Sequence, residues 1–75
     1  MSSSPDPESV ATARSAVQQA LGRLRPRTRA VLIMHEIEGR SKSDIATQLG
    51  ISEVTVRWHL ATGRSKVRKE LSDEI

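Results

Sequence analysis

The sequence predicts an all-α, four-helix compact domain with a C-terminal helix-turn-helix, and three observations carry that prediction. Apolar residues recur at the helical period of about 3.6, and nowhere do they alternate as a half-buried strand would. Start and stop signals divide the chain into four such stretches, opened by Pro7, Pro26, Ser41 and Ser52, the first three closed by Gly22, Gly39 and Gly50. The chain has 75 residues and no cysteine, so it is one small domain held by aliphatic packing rather than by disulfides or thiolate–zinc sites.

Residues 1–6 read as a disordered, Ser/Pro-rich linker and residues 7–75 as the domain. Asp6 is placed to cap the first helix, with Pro7 at the first helical position, where a missing N–H costs nothing. Val10, Ala13, Val17, Ala20, Leu21 and Leu24 follow as one apolar stripe, and Gly22 frays the helix end. Arg25 precedes a proline and so resists the α region, which separates this helix from a second, expected from Pro26 to about Glu38. That helix should bury Ala30, Val31, Met34 and Ile37, with Gly39 as the residue just beyond its end.

Ser41 and Asp44 resemble a capping box with Asp in place of Glu, opening a short third helix with Ile45, Ala46 and Leu49 facing inward. Gly50 ends it. Ser52 then caps a fourth helix, with Glu53 in the first turn where negative charge suits the dipole; this helix should reach Leu71 or Ser72.

Twelve basic against nine acidic residues give a net charge of +3, which says less than its distribution does. Arg57, Arg64, Lys66, Arg68 and Lys69 stand in one helix with no carboxylate among them, and Arg23, Arg25, Arg27 and Arg29 form a second cluster. Such segregation suits a basic face toward phosphate, although a solvated helix surface has the same charges. No run approaches the roughly 18 apolar residues of a membrane span, and nothing resembles a signal peptide. A soluble, cytoplasmic protein with no membrane partner is therefore expected.

Catalysis is not expected. His35 and Glu36 are adjacent on a helix and do not face each other, His59 lies on a different helix, and no metal-ligand spacing appears. The sequence predicts no catalytic residue, no metal and no cofactor.

The third helix, the Gly50-Ile51-Ser52 turn and the longer basic helix after it form the helix-turn-helix arrangement, in which the second helix enters the DNA major groove. This is the winged-helix-like DNA-binding class without the wing. Ala46 is small where the two helices must approach, and Ile51 plugs the turn. On a wheel at about 100° per residue, Val56, Leu60, Gly63, Val67 and Leu71 make a buried stripe that is complete without the lone tryptophan. Trp58 points away from it, with Val54, Ala61, Thr62, Ser65 and Lys69 on the same side and Arg57 and Arg68 flanking. Its ring either folds over a neighbouring loop or the first helix, or meets a thymine methyl or sugar edge while Arg57 reaches guanine or phosphate.

These placements give a candidate interface. Ser41, Lys42 and Ser52, at the two helix starts, are expected to meet phosphate; Arg57, Trp58, Ala61 and Thr62 to meet base edges and adjacent sugar; Arg64, Lys66, Arg68 and Lys69 to meet phosphate. His59 adjoins that face and would contact phosphate better when protonated. The second helix carries more apolar residues than one face can hide, so Leu32, Ile33 and Ile37 are expected to form a protein interface between helices one, two and four.

The stretch "LRPRTRAVLIMHEIEGRSKSDIATQLGISEVTVRWHLATGRSKVRKEL" resembles region 4 of bacterial RNA polymerase sigma factors, most closely the extracytoplasmic-function group. The matching residues are Leu24 and Pro26 with an inserted Arg25, Arg29, Val31-Leu32, Glu38-Gly39, Ile45-Ala46, Leu49-Gly50-Ile51-Ser52 and Thr55-Val56-Arg57, within a likeness spanning roughly Val10 to Leu71. It implies recognition of the promoter −35 element of double-stranded DNA by helix four, docking on the polymerase β flap, and capture by an anti-sigma factor. Arg57, Trp58, Ala61 and Thr62 fall where members contact bases or backbone, and Thr55 joins them in the expected DNA-binding set.

Many members have Ser-Arg where this chain has Trp58-His59, a frequent arginine where it has Thr62, and Glu where it has Asp44; these departures bear on base preference, not on groove entry. The chain lacks a region 2 and alone could not direct initiation, so it is expected to be an excised domain or a small protein built from one. Met1 to Pro5 resembles the linker between regions 2 and 4, which favours excision.

Two other readings compete. "TVRWHL" also fits the DNA-binding domain of a LuxR-type response regulator, but the Glu usual after the first Arg of that family's second helix is absent, and the Glu38-Gly39 context and long basic last helix look more like sigma. The other is a module that acts mainly through anti-sigma factor or polymerase binding, with DNA contact secondary.

Overall fold

The computed structural model describes residues 7–73. Four α-helices follow one another: α1 (Pro7–Gly22), α2 (Pro26–Leu32), α3 (Lys42–Leu49) and α4 (Glu53–Asp73), with a π-helical turn at Ile33–Ile37 running on from α2. The expected linker at residues 1–6 and the Asp6 cap lie outside the described residues. Among those described, no strand occurs and no helix is long and apolar enough to cross a membrane.

Local chemistry accounts for each boundary. After Gly22 the chain closes two tight bonds, Arg23 N–H to the Ala20 carbonyl and Leu24 N–H to that of Leu21. Arg25 is then extended (φ −61°, ψ 149°) before Pro26, as its proline neighbour demands. Gly39 and Gly50 take left-handed φ of 71° and 69°, which ends the π-turn and α3 without the strain a Cβ would bring.

Leu24, Val31, Leu32, Ile45, Ala46, Val56 and Leu60 make the core, with Leu21, Met34, Leu49, Ile51 and Val67 packed against it. α4 is its spine, crossed by α1, α2 and α3. Gly63 lies where α4 meets α2. A Cβ there would stand 3.2 Å from Thr28 Cγ2 and 3.4 Å from Leu32 Cδ2, so the missing side chain sets how closely the two helices approach.

Two expectations fail on packing. The α1 stripe is buried only toward its end, at Ala20 and Leu24, whereas Val10 and Val17 are 40% and 39% exposed; the helix is longer than the surface available to cover it. The second helix was expected to run regularly to Glu38 with Ile37 inward. Instead Glu38 N–H reaches back five residues to the Ile33 carbonyl, and a turn of this kind holds about one residue more than an α-turn. Ile37 therefore falls behind the face set by Ala30 and Val31, and is 68% exposed.

Candidate nucleic-acid interface

The interface is built on two capped helix starts. Ser41, in extended backbone, accepts a hydrogen bond from Asp44 N–H at 3.0 Å. Gly50 and Ile51 both donate their N–H to the Ala46 carbonyl, closing the turn. Ser52 accepts from Thr55 N–H at 3.1 Å and shares a second hydrogen bond with Thr55 Oγ1 at 3.0 Å. The Ser41 oxygen acts as acceptor toward the backbone, which leaves its hydroxyl proton for an outside acceptor. Ser52 keeps its proton too when Thr55 is the donor of their pair. Ser41 and Ser52 are exposed, Lys42 and Thr55 half-buried.

Beyond the turn, α4 divides as the wheel requires. Val56 and Leu60 are fully buried, whereas Val54 and Trp58 are 65% and 58% exposed. Arg57 and Ala61 are exposed beside Trp58, and Thr62 is half-buried at its edge. The indole is not free-standing: it stands nearly perpendicular to the His59 ring, with centroids 5.1 Å apart and planes at 74°.

His59 departs from its expected place. It is buried, 9% exposed, and its Nδ1 shares a hydrogen bond of 2.9 Å with Thr28 Oγ1 of α2. Desolvation, and then the positive charge of Arg27, lower its pKa from the ordinary 6.5. The ring ties α4 to α2, and its buried setting disfavours the charged form that a phosphate contact would use. Thr28 was invisible as its partner, since 31 residues separate the two and neither apolar period points at the pair.

The basic residues of α4 separate into two flanks. Lys66 lines a cleft together with Arg25, Thr28, Trp58 and Thr62, and Lys69 is exposed further along. Arg64 and Arg68 take the opposite flank, lining an apolar groove between α1, the π-turn and α4. Arg64 there is paired with Glu36, its Nε donating to the carboxylate. Arg64 is about 120° around the helix from Trp58, and Lys66 about 80° the other way. Arg57 lies on the same side as Arg64, so the expected phosphate contacts flank the outward face on both sides.

The three residues expected at a protein interface do line that groove, at unequal depth. Leu32 belongs to the core at 6% exposure, Ile33 is half-buried and Ile37 open. Leu32 therefore offers the groove little exposed surface, and Ile33 and Ile37 offer more. Val17, Leu21, Val67 and Leu71 complete the apolar lining.

The family model described as sigma-70, region 4 matches residues 14–67, from within α1 through most of α4. Comparison with curated proteins returns no match. In sigma factors, region 4 is a non-enzymatic DNA-binding domain that binds the promoter −35 element and interacts with RNA polymerase. With its helix-turn-helix and more than half its length matched, the chain belongs to the sigma-70 region 4 family.

Proposed function

We propose that this chain is the −35-reading domain of an alternative sigma factor of the extracytoplasmic-function group, working in the cytoplasm. The observation that carries it is the outward face of α4: Arg57, Trp58 and Ala61 stand exposed on a helix that begins at a capped turn. Ser41, Lys42, Ser52 and Thr55 would supply donors to the backbone at the two helix starts, fixing the register. Arg57, Trp58, Ala61 and Thr62 would meet base edges, and Lys66 and Lys69 the adjoining phosphates. Arg64 and Arg68, on the other flank, are assigned to the rim of the groove.

The groove encloses about 410 Å³. Its apolar walls and charged rim support docking of the polymerase β flap or of an anti-sigma factor by an apolar helix.

The test is fluorescence anisotropy on a duplex with a −35-like GGAAC core against a scrambled duplex, at two salt concentrations. A preference for the core with a steep salt slope supports the reading. Equal binding to both duplexes rejects it and moves the weight to a domain acting mainly through protein partners.

A further inference from the structure

The second basic cluster of the sequence lies outside the helix-turn-helix, yet the fold brings part of it against the recognition helix. Leu24, Arg25 and Thr28 on one side, and Trp58, Thr62 and Lys66 on the other, enclose a cleft of about 370 Å³. No carboxylate lines it. Among the described residues the ion pairs are Arg23–Glu70, Glu38–Arg40 and Glu36–Arg64, so neither Arg25 nor Lys66 is held in one. The Thr28 hydroxyl is already engaged with His59. What the cleft offers a ligand is therefore two cations, the Thr62 hydroxyl and an indole that is more than half exposed.

We infer that this cleft is a second DNA contact, outside the helix-turn-helix, in which Arg25 and Lys66 hold a backbone phosphate bordering the −35 element while the Trp58 ring lies against the adjoining sugar. The inference rests on the −35 reading of α4. Trp58 and Thr62 belong both to the cleft and to the outward face of that helix, so a duplex seated on the face is continuous with the cleft. An α-helix with its side chains is roughly 10–12 Å across, and the major groove is about 12 Å wide. The phosphate ridge of an occupied groove thus abuts the flanks of the helix. On this flank it meets Arg25 and Lys66; on the other it meets Arg57 and Arg68, beside Arg64, which is already paired with Glu36. The cleft is of a size suited to a small ligand or one sugar–phosphate unit, within the range of about 300–1,000 Å³ typical of ligand sites.

The contact positions the duplex without reading its sequence. This predicts a particular signature for the double variant R25Q/K66Q, whose two sites are exposed and whose melting temperature should stay at the wild-type value. Anisotropy is measured over a salt series on a GGAAC-core duplex with flanks of about eight base pairs, and on the same duplex with a scrambled core. The double variant should bind both duplexes on the order of tenfold more weakly, keep its core preference, and show a log–log salt slope smaller by about 0.9, the share of one phosphate.

Unchanged affinity and slope in the double variant, with core preference intact in the wild type, overturn the second contact and leave the −35 reading standing. Loss of core preference in the double variant overturns the assignment to phosphate, because the cleft would then read bases. Absence of core preference in the wild type overturns both. If the double variant binds DNA normally but no longer binds polymerase, the cleft takes an acidic protein side chain and the proposal fails.

Discussion

Thr28 Oγ1 and His59 Nδ1 share a hydrogen bond of 2.9 Å in the interior, and through it the helix that carries the reading face is fixed to α2. The same threonine sets its methyl against Gly63. One side chain thus meets α4 at two points, and Trp58 stands next to one of them, its ring nearly perpendicular to that of His59.

Removing the hydroxyl leaves a buried ring nitrogen without its partner. Thr28→Val should destabilise the protein by about 1–3 kcal/mol in urea melts, the cost of one unmade buried hydrogen bond. Thr28→Ser keeps the bond and should lose less. A small loss in Thr28→Val with a larger one in Thr28→Ser would assign the effect to the methyl group instead.

The lowered pKa of His59 fixes a direction with pH. Above 6.5, its ordinary value, the ring is neutral in both folded and unfolded chains, and its contribution is fully present. As pH falls below 6.5 the unfolded chain takes up the proton first, so stability declines toward the lower, folded pKa. The melting temperature should therefore drop between about pH 7 and about pH 5, above the range where carboxylates titrate. His59→Gln, which keeps a polar partner for Thr28, should flatten that drop; an undiminished drop in this variant would place the titration elsewhere.

Gly63→Ala sets two effects against each other. Alanine is worth about 1 kcal/mol over glycine within a helix, while overpacking a close contact costs about 1–3 kcal/mol. Here the new Cβ would meet Thr28 Cγ2 at 3.2 Å, and Thr28 is tethered by His59, so it yields poorly. The expected outcome is a net loss on the order of 1 kcal/mol by chemical denaturation. Gly63→Val should lose more, and a stabilised Gly63→Ala would mean that α2 slides away at little cost.

On the reading face, Arg57→Ala should lose about 1–3 kcal/mol of binding to the preferred duplex and relax specificity. Trp58→Ala should weaken DNA binding while leaving the thermal melt close to wild type, because the indole is 58% exposed. An equal loss for Arg57→Ala on a scrambled duplex would reduce that residue to a phosphate contact.

Arg64 provides the contrasting case. Its pairing with Glu36 is exposed, so Arg64→Gln should change stability by no more than about 1 kcal/mol. It should also leave the salt slope of DNA binding unaltered. A slope reduced by about one would return Arg64 to the phosphate contacts.

The sequence by itself determined the order of the four helices, the Ser41 and Ser52 caps and the face α4 turns outward. Ser41, Gly50 and Ser52 act through bonds to residues three or four positions away, and Val56, Leu60 and Trp58 sort by a fixed rotation per residue, so local order suffices to read them. Tertiary structure decided everything that depends on what packs opposite. Val10 and Val17 follow the helical period but find no covering surface, and the π-turn carries Ile37 outward. Glu36 captures Arg64 on one flank of α4, while Arg25 comes to lie beside Lys66 on the other. His59, adjacent in sequence to the tryptophan, turns inward to Thr28 on another helix. Charge and period give a side chain's type and direction along its own helix; its partner is set by the approach of a second helix, and that approach rests here on Gly63 and Thr28.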